Sequence, residues 1–170
     1  GRVEDSMDGI FDALKEGALT MQQGGGVGYD FSTLRPAGSR ARTVGRISSG
    51  PVSFMEIWDT MCATLLSTGS RRGAMMATLR CDHPDIQAFI EAKREESALR
   101  HFNLSVLVTD AFMEAVRNDE DWPLVFPDGN LEGAGGTGDT IQRHWPGTDT
   151  PVACRVFRRV AARDLWQRIM

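Results

Sequence analysis

Apolar residues first settle into a helical rhythm near the start of the chain. Met7, Ile10, Phe11, Leu14, Ala18 and Met21 follow Asp5-Ser6 at mostly three- and four-residue steps. A carboxylate or hydroxyl just ahead of such a run can accept the orphan N–H groups of a first turn. The spacing therefore predicts a capped amphipathic helix to about Gln22. Pro51 opens a second helix, with Phe54, Met55, Trp58, Met61, Cys62 and Leu65 on its apolar side. Met75 to Leu79 reads as a short buried strand. Asp82 with Pro84 reads as a helix start ahead of Ile86, Phe89 and Ile90. A strand is expected over 103–108, then a helix capped by Thr109 or Asp110 and carrying Phe112, Ala115 and Val116. Further strands are expected over 122–126 and 152–160, the latter leading into a terminal helix. The stretch from Asp128 to Thr150 is rich in glycine and polar residues and lacks periodicity, so it reads as a long loop or insertion. Strands alternating with helices indicate an α/β fold with a largely parallel sheet, in one unit spanning 1–170.

Two windows break this pattern. Gly24-Gly25-Gly26-Val27-Gly28 leads into a stretch, Phe31 to Met55, with no Asp or Glu but with Arg35, Arg40, Arg42 and Arg46. A second acid-free window, Thr60 to Cys81, surrounds Ser67-Thr68-Gly69-Ser70-Arg71-Arg72-Gly73-Ala74. Glycines let backbone N–H groups approach an anion, and guanidinium forks match phosphate oxygens. The windows read as two loops that handle phosphorylated ligands; solvated surface arginines are the plainer alternative.

The whole chain carries a net charge of −4 over 170 residues. Its pI near 5.4 argues against nonspecific nucleic-acid binding. No apolar run of about 18 residues suggests a membrane span. Cys62, Cys81 and Cys154 are odd in number and widely spaced, which fits reduced thiols in a cytoplasmic protein. Gly1 is not an initiator methionine and the last helix stops without a glycine cap, so the chain reads as an internal piece of a larger one.

Catalytic signals are sparse. Cys81-Asp82-His83 has no second ligand pair for a metal, and Asp82 is better read as a helix cap. Cys62 and Cys154 read as packed core residues, while His101 and His144 lack a nucleophile at a recognisable spacing. No Lys-Ser or Lys-Thr follows the glycine run, so it is not a Walker A loop. It also follows a helix and has Tyr29 where a dinucleotide fingerprint needs glycine.

Five motifs nevertheless occur in a telling order: Val3-Glu4-Asp5-Ser6-Met7-Asp8, Gln23 to Gly28, Leu34-Arg35-Pro36 with Gly38-Ser39, Ser49 to Met55, and Arg72-Gly73-Ala74-Met75-Met76. Together they resemble the large catalytic subunit of ribonucleotide reductases. The Arg72 to Met76 motif and Asp82-His83-Pro84-Asp85-Ile86 resemble the class II, adenosylcobalamin-dependent type most. The likeness covers nearly the whole chain except 128–150.

That resemblance implies roughly the first half of a ten-stranded α/β barrel, with mostly parallel strands and crossover helices. It implies that the first two helices pack against a second subunit in a homodimer, beside a specificity effector, a deoxynucleoside triphosphate or ATP. By position, Asp5 and Ser6 match residues at the effector's sugar and base, and Arg35 and Arg42 match those gripping its phosphates. Ser67, Thr68, Gly69, Ser70, Arg71, Arg72 and Gly73 match the loop that couples effector identity to the ribonucleotide substrate. The family's thiyl-radical cysteine, in an Asn-Pro-Cys-Gly-Glu-like motif, and its redox cysteine pair do not occur here. The resemblance thus implies a parent enzyme that makes 2′-deoxyribonucleotides with an external dithiol such as thioredoxin, and a piece that is inactive alone. A non-catalytic nucleotide-binding regulatory or dimerisation module is the alternative.

Overall fold

The computed structural model describes residues 1–40, 47–66, 74–94, 98–133 and 135–170. Helix α1 (Met7–Gln22) begins where the periodicity places it, and the Ser6 hydroxyl caps it by accepting the Gly9 N–H at 3.0 Å. Strand β1 (Val27–Asp30), helix α2 (Pro51–Leu66), strand β2 (Met75–Arg80), helix α3 (Ile86–Glu91) and strand β3 (Phe102–Leu107) follow. The three strands form a parallel sheet in the order β1-β2-β3, with Val27 opposite Met75 and Met75 opposite Phe102. Parallel neighbours need long crossovers, and α2 and α3 lie within two of them. Arg2 bridges Asp30 in parallel, so the segment ahead of α1 extends the sheet beyond β1. The result is an open α/β layer, not a closed barrel, among the described residues.

Aromatic packing joins the helices to this sheet. Trp58 of α2 is fully buried, 5.4 Å edge-on from Phe31 and 5.6 Å from Tyr29, while Phe31 also meets Phe102 at 6.2 Å. Gly17 lets α1 lie close to β1. A Cβ there would overlap the Tyr29 hydroxyl, which donates to the Ala13 carbonyl at 2.9 Å.

Helix α4 (Asp110–Asn118) is capped by Thr109 and leads to strand β4 (Asp121–Pro127). Strands β5 (Thr140–Arg143) and β6 (Val152–Ala161) and helix α5 (Ala162–Ile169) complete the chain. Here the topology departs from the parallel expectation, because β4-β6-β5 is an antiparallel sheet. A second small core of Val125, Phe126, Leu131, Trp145, Cys154 and Val156 fills it.

Three local expectations are corrected. Val27 and Gly28, read with the glycine run as the opening of a loop, belong to strand β1 because they pair along β2. The 128–150 stretch is not wholly irregular, since β5 pairs with β6 within it. Asp82 does not cap α3: Asp85 stands at that position, and Asp82 is buried against arginines.

Candidate functional site

The segment just ahead of α1 and the segment after β1 converge on one ion pair. Arg35 Nε donates to Asp5 Oδ2 at 2.9 Å, Arg35 Nη2 to the Asp5 carbonyl at 3.2 Å, and the Arg35 backbone N–H to Asp5 Oδ1 at 3.3 Å. Thr33 donates its hydroxyl to the Val3 carbonyl, tying the two segments together just before the pair. About a fifth of each side chain remains exposed, so solvent partly screens the pair. Ser6 points its hydroxyl elsewhere, capping Gly9 and donating to Glu4 at 3.1 Å.

The pair borders a cleft of about 980 Å³, at the upper end of the range for small-molecule sites. Arg2, Asp5, Thr33 and Arg35 line it together with Asn130, Trp145 and Thr148. Beyond Arg35 the segments 38–40 and 47–48 pair side by side. Gly38 N–H donates to the Ser48 carbonyl at 2.9 Å, Ser48 N–H to the Ser39 carbonyl at 2.8 Å, and Arg40 bridges Ile47. The structure thus brings Asp5 and Arg35 together. Arg42 and the loop Ser67 to Gly73 lie outside the described residues.

The part of the lining that includes Trp145 is held by a network the sequence pattern did not reveal. Asp82, 1% exposed, accepts from Arg80 Nε and Nη2, each at 2.8 Å, and lies 3.7 Å from Arg143 Nε. Arg80 also donates to the His144 carbonyl at 3.1 Å and lies 4.6 Å over the Trp145 ring. One buried carboxylate thereby fastens β5 and the segment after it to the end of β2. No spacing rule links residue 82 to residue 143.

The thiols are poorly suited to nucleophilic chemistry. Burial, reinforced by Asp82, pushes Cys81 up to about 12 and Cys154 up to about 11, while burial and then Asp59 push Cys62 upward. All three stay protonated near neutral pH, where a thiolate would be the reactive form.

The model for the ribonucleotide reductase barrel domain matches residues 1–170. A vitamin B12-dependent ribonucleoside-diphosphate reductase of Mycobacterium tuberculosis is 49% identical over 126 residues, covering 74% of this chain and 18% of that protein. One of the same name from Thermoplasma acidophilum is 36% identical over 169 residues, covering 99% of this chain and 19% of its own length. The alpha subunit of the Helicobacter pylori ribonucleoside-diphosphate reductase is 31% identical, covering the whole chain and 22% of that protein. The chain spans about a fifth of these relatives. The family match along its full length, on an α/β layer of parallel strands and crossover helices, means that this chain belongs to the ribonucleotide reductases and forms part of their barrel domain.

Proposed function

We propose that this chain is the effector-binding and dimer-forming part of a vitamin B12-dependent ribonucleotide reductase. The complete protein would convert ribonucleotides, as diphosphates if it follows its relatives' names, into 2′-deoxyribonucleotides by thiyl-radical chemistry. The carrying observation is the meeting of Asp5 and Arg35 beside a nucleotide-sized cleft. A carboxylate suits sugar hydroxyl donors, and a guanidinium suits phosphate oxygens. An arriving triphosphate would compete with Asp5 for Arg35, and the freed carboxylate would accept from the sugar.

The same reading makes α1 and α2 the contact face for a second copy. Met7, Phe11 and Leu19 of α1 are 58%, 47% and 52% exposed, and Ile57, Met61 and Leu65 of α2 line a shallow apolar groove. Scattered apolar exposure is ordinary, but two adjoining helices sharing it favour a protein partner.

The relatives' names carry a dependence on vitamin B12, and the class II resemblance makes it adenosylcobalamin. Cys62, Cys81 and Cys154 are buried, form no disulfide and do not stand in the Asn-Pro-Cys-Gly-Glu-like context of the family's radical cysteine, so we assign the radical and redox chemistry outside this chain. Among the described residues no helix is long and apolar enough to cross a membrane.

Equilibrium titration of the protein with dTTP at rising potassium chloride tests the reading. Saturable binding that weakens steeply with salt is expected of a phosphate grip that is partly exposed. Absence of binding, or an affinity indifferent to salt, would contradict it.

A further inference from the structure

The turn that follows β2 grips the backbone on both sides of Arg35. His83 is fully buried; its Nε2 donates to the Leu34 carbonyl at 2.8 Å, and its Nδ1 accepts the Asp85 N–H at 3.0 Å. These two bonds define one neutral tautomer, with the proton on Nε2. Asp85 stands at the N-cap of α3 but makes no capping bond with its side chain. Its Oδ2 instead accepts the Ala37 N–H at 2.9 Å. The grip thus falls on Leu34, immediately before Arg35, and on Ala37, two residues after it.

The segment around Ser48 and Gly50 meets the same carboxylate. Gly50 has φ +84°, and a Cβ there would overlap Asp85 Oδ2 and lie 2.9 Å from the Ala37 nitrogen. Only a residue without a side chain leaves room for this bond. The Ser48 hydroxyl donates to the Arg35 carbonyl at 3.3 Å and accepts the Gly50 N–H at 3.1 Å. None of these groups reaches the cleft, yet together they fix the path of the chain that presents the Arg35 guanidinium.

We propose that His83 and Asp85 are positioning residues for nucleotide binding, holding the backbone around Arg35 so that its guanidinium is presented beside Asp5. The proposal rests on the nucleotide reading of that pair. Its physical basis is preorganisation: a loop that samples other conformations binds more weakly in proportion to its competent fraction.

The test is equilibrium dialysis of the complete protein against dTTP, with thermal unfolding measured in parallel. Asp85→Ala is expected to weaken dTTP about tenfold while the protein stays folded. Asp85→Asn retains an acceptor oxygen for Ala37 and is expected to bind within about threefold of wild type. Gly50→Ala, which crowds the carboxylate from the other side, is expected to weaken binding as Asp85→Ala does. In an Arg35→Ala background, Asp85→Ala is expected to have little further effect, because it acts through that residue. If Arg35→Ala weakens binding but Asp85→Ala does not, or if the two losses are fully additive, the positioning role is overturned and the nucleotide reading stands. If Arg35→Ala binds dTTP as wild type, the nucleotide reading itself fails, and the positioning role with it.

Discussion

The Tyr29 hydroxyl reaches across to the Ala13 carbonyl of α1 at 2.9 Å, through space left open at Gly17. This contact fixes how closely the helix leading from Asp5 lies against the first complete strand of the sheet.

Gly17→Ala should therefore destabilise the protein even though alanine is the better helix former by about 1 kcal/mol. The added Cβ overlaps the hydroxyl, and overpacking of this kind costs roughly 1–3 kcal/mol. Adding Tyr29→Phe removes the overlapping atom and should recover part of the loss. Urea unfolding of both variants measures it; a Gly17→Ala protein more stable than wild type would refute the close packing.

Asp82→Ala should be far more damaging than a surface charge change. It leaves Arg80, whose side chain is 16% exposed, without its bidentate partner and releases Arg143 as well. Breaking a buried pair from one side costs about 3–5 kcal/mol. Chemical denaturation should show a loss on that scale, with faster proteolysis near β5 because its tether is gone. A loss below about 1 kcal/mol would mean the network is not a structural anchor.

These cases separate what was legible in the sequence from what was not. Ser6 and Pro51 announce helices that depend on local spacing, and both helices form. Strand β1 is four residues next to a glycine run, and β5 is the polar Thr-Ile-Gln-Arg, so each exists through pairing with a distant strand. Asp82 followed by Pro84 resembled a local helix start, but its arginine partner at 143 could be identified only after folding. Asp5 and Arg35 were singled out by family resemblance and by an acid-free window; the backbone bonds that join them had no sequence signature. Arg42 and the segment Ser67 to Gly73 lie outside the described residues and stay at the level of expectation.

His83 gives stability a pH dependence. Burial lowers its pKa below the ordinary 6.5, outweighing the upward pull of Asp85, the Leu34 hydrogen bond, Asp82 and Asp30. The unfolded chain then binds more protons than the folded one below about 6.5, so stability should fall as pH drops from 7 towards 5. Above that range the contribution is complete. Denaturant midpoints across this window should decline, and His83→Gln should flatten the His83 part of the slope. An unchanged slope in that variant would place the proton uptake elsewhere.

Phe11 and Leu19 should matter to assembly more than to folding, because about half of each is exposed. Burying such side chains at an interface contributes up to about 1.5–3 kcal/mol each. Phe11→Glu with Leu19→Glu should weaken a dimer by about a hundredfold and yield monomers in sedimentation velocity. A dimer of wild-type strength would move the interface away from α1.

The central claim is that the first arginine window grips a triphosphate while the second serves coupling. Calorimetric titration with dTTP of Arg35→Ala, Arg42→Ala, Arg71→Ala and Arg72→Ala tests it most directly. The first two should each lose about 1.5–3 kcal/mol, roughly ten- to a hundredfold in affinity. The last two should bind nearly as wild type and disturb substrate choice instead. Equal losses at all four positions would reveal one undifferentiated anion patch and contradict the account.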